Sequence, residues 1–222
     1  MITLNLQELI NFYDRKVEGS QGHATALNAL LGEDIALAAF RHYLNGCGAE
    51  LNVLSRTCTR VGGGARLDAW LEVKWCDSEP EIFQTEIKNW SSHSYRGRRT
   101  PKVETEVSMK QHRINRWLNQ FDVDERVLKD KDAKKVLYPM QPLPSITTRK
   151  IAALIIFWDP MHKDGSSEPF FRANVASEHF EQLSVFSISN HFRNLIEQGT
   201  NMLEVKMDDA EARLKWLGKI AM

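Results

Sequence analysis

Two runs of alternating apolar and polar residues, separated by one short turn, constrain this chain more than any other feature. Ala65 to Lys74 (ARLDAWLEVK) reads as a strand and Glu81 to Lys88 (EIFQTEIK) as the next, with Cys76-Asp77-Ser78-Glu79-Pro80 supplying the turn. A hairpin folded about Asp77 and Ser78 sets Asp68 opposite the Glu86 to Lys88 end of its partner strand. Directly opposed residues have Cβ atoms roughly 4.5 to 5.5 Å apart, close enough for two carboxylates to share one divalent cation. Period-2 alternation puts Glu86 and Lys88 on one face, roughly 7 Å apart, and turns Phe83 and Ile87 to the other.

Glu-x-Lys alone is a weak signal, because solvent-facing strand residues alternate this way routinely. It occurs three times here, as Glu72-Val73-Lys74, Glu86-Ile87-Lys88 and Glu204-Val205-Lys206. Position selects among them. Glu72 and Lys74 flank the turn, away from Asp68, and Glu204-Val205-Lys206 has no acidic strand just before it. Only Glu86 and Lys88 gain a second carboxylate from a simple hairpin.

The 222 residues suffice for one sizeable core, and no shift in composition divides them, so a single domain over 1–222 is expected. With 42% apolar and 26% charged residues the chain is neither disordered nor membrane-like in composition. Its longest apolar run, Ile151 to Trp158, is too short to span a bilayer and reads as a buried strand. Met1 to Gln7 lacks a basic region followed by an apolar one, so a cytoplasmic location without a membrane partner is expected. Cys47, Cys58 and Cys76 form neither an even disulfide set nor a CxxC zinc pair, and buried or partly buried free thiols are the expectation.

Net charge is zero, so any affinity for a polyanion must come from a local patch. One exists between Glu86 and Arg116, where Lys88, Arg96, Arg98, Arg99, Lys102, Lys110, Arg113 and Arg116 outnumber Glu86, Glu104 and Glu106 for a local charge of +5. A solvated loop and helix face is the plain alternative, and proximity to the Glu86 strand is what favours phosphate contact.

Thr25 to Leu44 carries a helical apolar stripe, stopped by Asn45-Gly46-Cys47-Gly48. Leu51 to Arg60 is a first strand, and Gly62-Gly63-Gly64 is a permissive connector with no lysine and serine or threonine at P-loop spacing. Asn89 to Arg99 reads as a loop, Lys102 to Gln120 as a helix with a partly basic surface, and 122–150, with Pro139, Pro142 and Pro144, as an irregular insertion. Strands at Ile151 to Trp158, Leu183 to Ile188 and Met202 to Lys206 then interleave with helices at Asn190 to Gln198 and Asp208 to Ile220. The expected class is α/β, a mixed central sheet flanked by helices.

Leu31-Gly32-Glu33-Asp34-Ile35-Ala36 on a helix, a glycine-rich link, Arg66-Leu67-Asp68, and then Glu86-Ile87-Lys88 with a helix after it follow one another in an order that resembles the PD-(D/E)xK nuclease superfamily, the restriction-endonuclease-like fold. The resemblance covers about Leu27 to Gln120, and Leu67 departs from the proline of the nominal motif at a position that performs no chemistry. It implies a restriction-endonuclease-like core, with Asp68 and Glu86 as metal ligands, Lys88 as the catalytic lysine and Glu33 as the helix acid. Read from the residues alone, Glu33 or Asp34 could equally face the pocket, or both could be solvated. The resemblance further implies a magnesium-dependent (or manganese-dependent) deoxyribonuclease, of the endonuclease kind. DNA is its expected substrate, RNA is left open, and a homodimer or a larger defence or repair assembly is its possible setting.

Hard carboxylate oxygens suit Mg²⁺ or Mn²⁺, which polarises a phosphoryl oxygen and lowers the pKa of an attacking water. Lys88 can steer that water, stabilise charge growing on phosphorus, or act as a base. Arg96, Arg98, Arg99 and Lys102 would hold the phosphate backbone, while Trp90 or Tyr95 would stack on a base or pack beneath the loop. The competing class is a non-catalytic nucleic-acid-binding or protein-interaction module on the same scaffold. A histidine-based centre is weaker, because Asn190-His191 has no second histidine at an interpretable spacing and reads as a capped surface helix. If the basic segment binds phosphate, replacing Arg98 and Arg99 by alanine weakens binding to unrelated DNA sequences alike and lowers the salt slope by about 0.9 for each duplex phosphate no longer neutralised. A sequence-selective weakening with an unchanged slope in a salt titration would point to base reading instead.

Overall fold

The protein is described by a computed structural model over residues 1–13, 28–60, 64, 66–76, 78–88, 135–158, 167–175 and 177–220. The elements run β1 (Ile2–Asn5), α1 (Leu6–Tyr13), a π-helical turn (Asn28–Gly32), α2 (Glu33–Gly46), β2 (Glu50–Ser55), β3 (Cys58–Thr59), β4 (Arg66–Leu67), β5 (Ala69–Lys74) and β6 (Glu81–Lys88). A 3-10 turn (Pro144–Ile146), β7 (Ile151–Phe157), β8 (Phe170–Asn174), β9 (Gln182–Ser187), α3 (Ile188–Glu197), β10 (Met202–Val205) and α4 (Asp208–Ile220) follow.

Among the described residues, six strands form one mixed sheet in the order β2-β5-β6-β7-β9-β8. β2, β5 and β6 are an antiparallel meander, β7 and β9 run parallel to β6, and β8 closes the edge antiparallel to β9. β7 is a continuous apolar run because it is central and covered on both faces. Alternation deals its side chains to two cores: Leu154, Ile156 and the following Trp158 pack with the helices, while Ala153, Ile155 and Phe157 pack on the opposite side.

The first core is capped by α1, α2 and α3, through residues such as Ile10, Phe40 and Phe192. The β1–β10 pair adds Leu4, Leu203 and Val205 to it. α2 carries Glu33 and Asp34 in its first turn, favourable against the helix dipole. It ends where Gly48 adopts φ 72°, a conformation glycine takes without strain, and Ala49 N–H then bonds Leu44 O at 2.8 Å. A Cβ on Gly48 would also meet Cys76 Sγ at 3.0 Å. α3 begins directly after β9, with Ser187 Oγ accepting from Asn190 N–H as the cap.

The second core lies under an irregular strap, residues 135–150, expected from the sequence only as an insertion; its described part is a packed cover. Val136, Leu137, Met140 and Ile146 are buried against Trp70, Ile82 and Ile155. Gln141 N–H bonds Thr59 O at 2.7 Å, and the fully buried Gln84 ties the strap to β6. Its Nε2 donates to Val136 O at 2.5 Å and Tyr138 O at 2.7 Å, and its Oε1 accepts from Met140 N–H at 3.1 Å.

The strands and helices expected from periodicity recur with small shifts: β6 and α4 cover the anticipated residues, and α3 starts two residues early, at Ile188. The expected strand 65–74 is broken at Asp68 into β4 and β5, and the strand 51–60 into β2 and β3. β1, α1 and β8 are additions that periodicity does not announce. The loop from Asn89 to Arg99, the helix from Lys102 to Gln120 and positions 122–134 lie outside the described residues. Among the described residues, no helix is long and apolar enough to cross a membrane. Gln84→Leu keeps most of the volume but leaves three backbone groups of the strap, two buried and one part-buried, without this partner. A destabilisation of about 2 to 4 kcal/mol is expected in a denaturant titration. A change below about 0.5 kcal/mol would mean the strap does not depend on this side chain.

Candidate metal and nucleic-acid site

The hairpin pairs β5 with β6 antiparallel, Val73 with Glu81, Trp70 with Gln84 and Ala69 with Thr85, and the ladder stops one step short of Asp68 and Glu86. Asp68 leaves the ladder at this point, but its N–H still bonds Thr85 O at 3.0 Å, and its Oδ2 accepts from Ile87 N–H at 2.7 Å. The carboxylate therefore replaces a backbone acceptor and carries the pairing one residue further along β6. As alternation predicts, Phe83 and Ile87 join the helix-side core, while Gln84 bonds the strap on the other face.

Glu86 faces the strap as well. Its side chain is 1% exposed, and Lys135 Nζ bonds Oε1 and Oε2 at 3.1 Å each. Cys58 lies within electrostatic range of both carboxylates. Burial pushes its thiol up to about 12; a backbone hydrogen bond with Thr85 opposes this, and the negative charges of Asp68 and Glu86 reinforce it. Cys58 is thus a neutral thiol in the wall of the site, buried as expected, whereas Cys47 and Cys76 are exposed, contrary to expectation.

The Lys88 backbone ends β6 opposite Phe157, two positions beyond Glu86, and its side chain lies outside the described residues. Arg96, Arg98, Arg99 and Lys102, with Trp90 and Tyr95, also lie outside them. The phase of α2 leaves Glu33 exposed and turns Asp34 inward, 3% exposed. Asp34 is held by Arg56, 3.0 Å away at the end of β2, and by Arg213 of α4, while Arg56 also reaches Asp209 at 3.1 Å. Among the described residues, no group of three His, Cys, Asp or Glu side chains is arranged to hold a metal. Asp68 Oδ2 accepts from the Ile87 N–H and Glu86 carries the Lys135 ammonium on both oxygens; these are hard oxygen donors, the type a divalent ion that keeps several waters takes.

The other Glu-x-Lys triplets are accounted for elsewhere. Glu72 pairs with Arg149, and Glu204 is exposed on β10. Cavities of about 190 and 430 Å³ open at the opposite ends of β6 and β7, beside Glu81, Lys150 and Ala152, away from Glu86.

The reading of Asn190-His191 as a surface helix start is corrected. Both residues are buried, and His191 Nε2 lies 3.0 Å from His42 Nδ1 on α2. Burial, reinforced by His42, lowers His191 to about 4, and burial also lowers His42. No local pattern announces a pair 149 residues apart. Both folded-state values lie below the unfolded one, so their contribution is intact above about pH 6.5 and declines as pH falls toward 4, on the order of 1 kcal/mol per pH unit. Denaturant midpoints measured from pH 7 to pH 4.5 should fall less steeply for His191→Gln than for the native chain. Parallel profiles would show that the pair does not set the acid sensitivity.

No protein-family model, curated protein or solved structure matches this chain.

Proposed function

We propose that this protein is a metal-dependent phosphodiesterase acting on nucleic acid, with DNA as the substrate and a restriction-endonuclease-like core as the scaffold. One observation carries the reading: Asp68, through its bond to the Ile87 N–H, and Glu86 both lie at the carboxyl end of β6, the end of a parallel strand pair where open α/β sheets receive ligands. The order of an acidic helix, the Asp68 strand and the Glu86-Ile87-Lys88 strand supports it.

In this reading Asp68 and Glu86 would hold Mg²⁺ or Mn²⁺ through hard carboxylate oxygens, and the ion would supply Lewis-acid polarisation of the phosphoryl oxygen and a more acidic attacking water. Asp68 is oriented for its part by the Ile87 N–H, and Glu86 by the strand that carries it. Lys88 steers the water and offsets charge on the phosphorus oxygens without itself ligating the metal, since an ammonium has no lone pair. Cys58 stays protonated and takes no nucleophilic part. The basic residues Arg96, Arg98, Arg99 and Lys102 hold the phosphate backbone.

A second reading, a non-catalytic nucleic-acid-binding or protein-interaction module, draws on the same geometry. Asp68 already serves the β6 backbone and Glu86 already has Lys135, so both carboxylates have structural work without a metal. Single-turnover cleavage of a mixed set of DNA and RNA substrates in Mg²⁺ or Mn²⁺ separates the two. Cleavage by the native chain is expected. Lys88→Met should retain the fold and metal affinity yet cut at least about a hundredfold more slowly, the scale of one missing electrostatic or proton-transfer contribution. Nucleic-acid binding with no metal-dependent cleavage would establish the second reading, and equal rates for Lys88→Met would remove the lysine from the chemistry.

A further inference from the structure

Lys135 belongs to the strap and is marked by no sequence pattern, yet it delivers its ammonium to both oxygens of the most buried carboxylate in the site. We propose that Lys135 is the resident counter-cation of the Asp68–Glu86 site and exchanges with the divalent metal, so that metal loading releases its ammonium toward the substrate phosphate. This rests on the metal-site reading above and adds to it a positioning residue and a coupling between metal and strap.

The geometry carries the inference in three steps. A carboxylate as enclosed as Glu86 requires a compensating charge, and Lys135 supplies it. A divalent ion bound to Glu86 would lie roughly 2.0 to 2.1 Å from its oxygens, in the space the ammonium faces from 3.1 Å, so the two compete for the same lone pairs. Finally, the strap does not have to leave for the lysine to move. Gln84, one alternation before Glu86 on β6, fastens Val136, Tyr138 and Met140, so the backbone beside Lys135 is held. The lysine's four-carbon stem is flexible and its side chain is already 26% exposed, which leaves an outward path. Once displaced, the ammonium remains tethered within a side-chain length of Glu86, where a metal-bound phosphate would sit.

Removing Lys135 also removes a positive charge beside Glu86, so the gain in affinity is read together with the labelling of native Lys135, which rises only where the metal displaces the ammonium. Calorimetric titration with Mn²⁺, without nucleic acid, tests the exchange on the native chain, Lys135→Met and Lys135→Arg. Lys135→Met is expected to bind Mn²⁺ roughly ten- to hundredfold more tightly, the range over which neighbours of metal ligands tune affinity. Lys135→Arg, which keeps the charge, should bind no more tightly than the native chain. Acylation of native Lys135 by an amine-reactive ester, read by peptide mass spectrometry, should rise when Mn²⁺ is added, a measurement that stands even where Lys135→Met fails to fold. Mn²⁺ binding to the native chain with no gain in Lys135→Met, or with Lys135 labelling unchanged by the metal, would overturn the exchange and leave the metal site standing. Absence of Mn²⁺ binding in both proteins would overturn the exchange and the metal-site reading together.

Discussion

The hydrogen bond from Ile87 N–H to Asp68 Oδ2, 2.7 Å long, is the interaction on which the candidate site depends. β5 and β6 pair regularly only as far as Ala69 and Thr85, and beyond that point a side chain continues what the backbone ladder began. A strand has a side-chain period of two, so a slip of one residue would exchange its faces. Glu86 would then enter the apolar core under α2, and Ile87 would face the strap. Two features resist that slip: the Asp68 bond at the end of the hairpin, and Gln84, whose amide matches three strap groups only when it faces them. The residue proposed as a ligand thus also sets the register that creates the site.

The two faces of the sheet hold their polar groups differently. On the helix side, Asp34 is clamped by two arginines drawn from β2 and α4, and His191 shares a hydrogen bond with His42 among aromatic rings. The first ties α2 and α4 to the end of β2, the second ties α2 to α3, and both leave little carboxylate or imidazole capacity for a ligand. On the strap side, Glu86 is paired with Lys135, whose side chain is partly exposed, and Asp68 is half-buried. Charge that is buried but can be re-paired is suited to exchange, whereas charge clamped from several elements is suited to holding a fold. This contrast is why the metal reading attaches to Asp68 and Glu86 rather than to the histidine pair or Asp34.

Much of this is legible in the sequence where the signal is local. Alternation marks Glu81–Lys88, the apolar run marks Ile151–Phe157, and the approximate position of the turn follows from Cys76 to Pro80. The interruption at Asp68 is not legible, because it depends on a carboxylate taking over a backbone role on the neighbouring strand. Short edge elements such as β1 and β8 have too few residues for a period to emerge. Lys135 and Gln84 escape notice because their partners lie 49 to 56 residues away in sequence, and the histidine pair because its members are 149 apart. The inward turn of Asp34 rather than Glu33 reflects two arginines from distant elements, which helical periodicity alone does not reveal.

The central claim is that Asp68 and Glu86 form one cation site at the end of the hairpin. Paramagnetic broadening by Mn²⁺ in amide-resolved NMR spectra of the native chain tests it most directly, since the effect falls steeply with distance from the ion. The account predicts broadening that saturates with Mn²⁺ and centres on Asp68, Glu86 and Ile87, sparing His42 and His191. Broadening centred on the histidine pair, or none at the hairpin end, would contradict it.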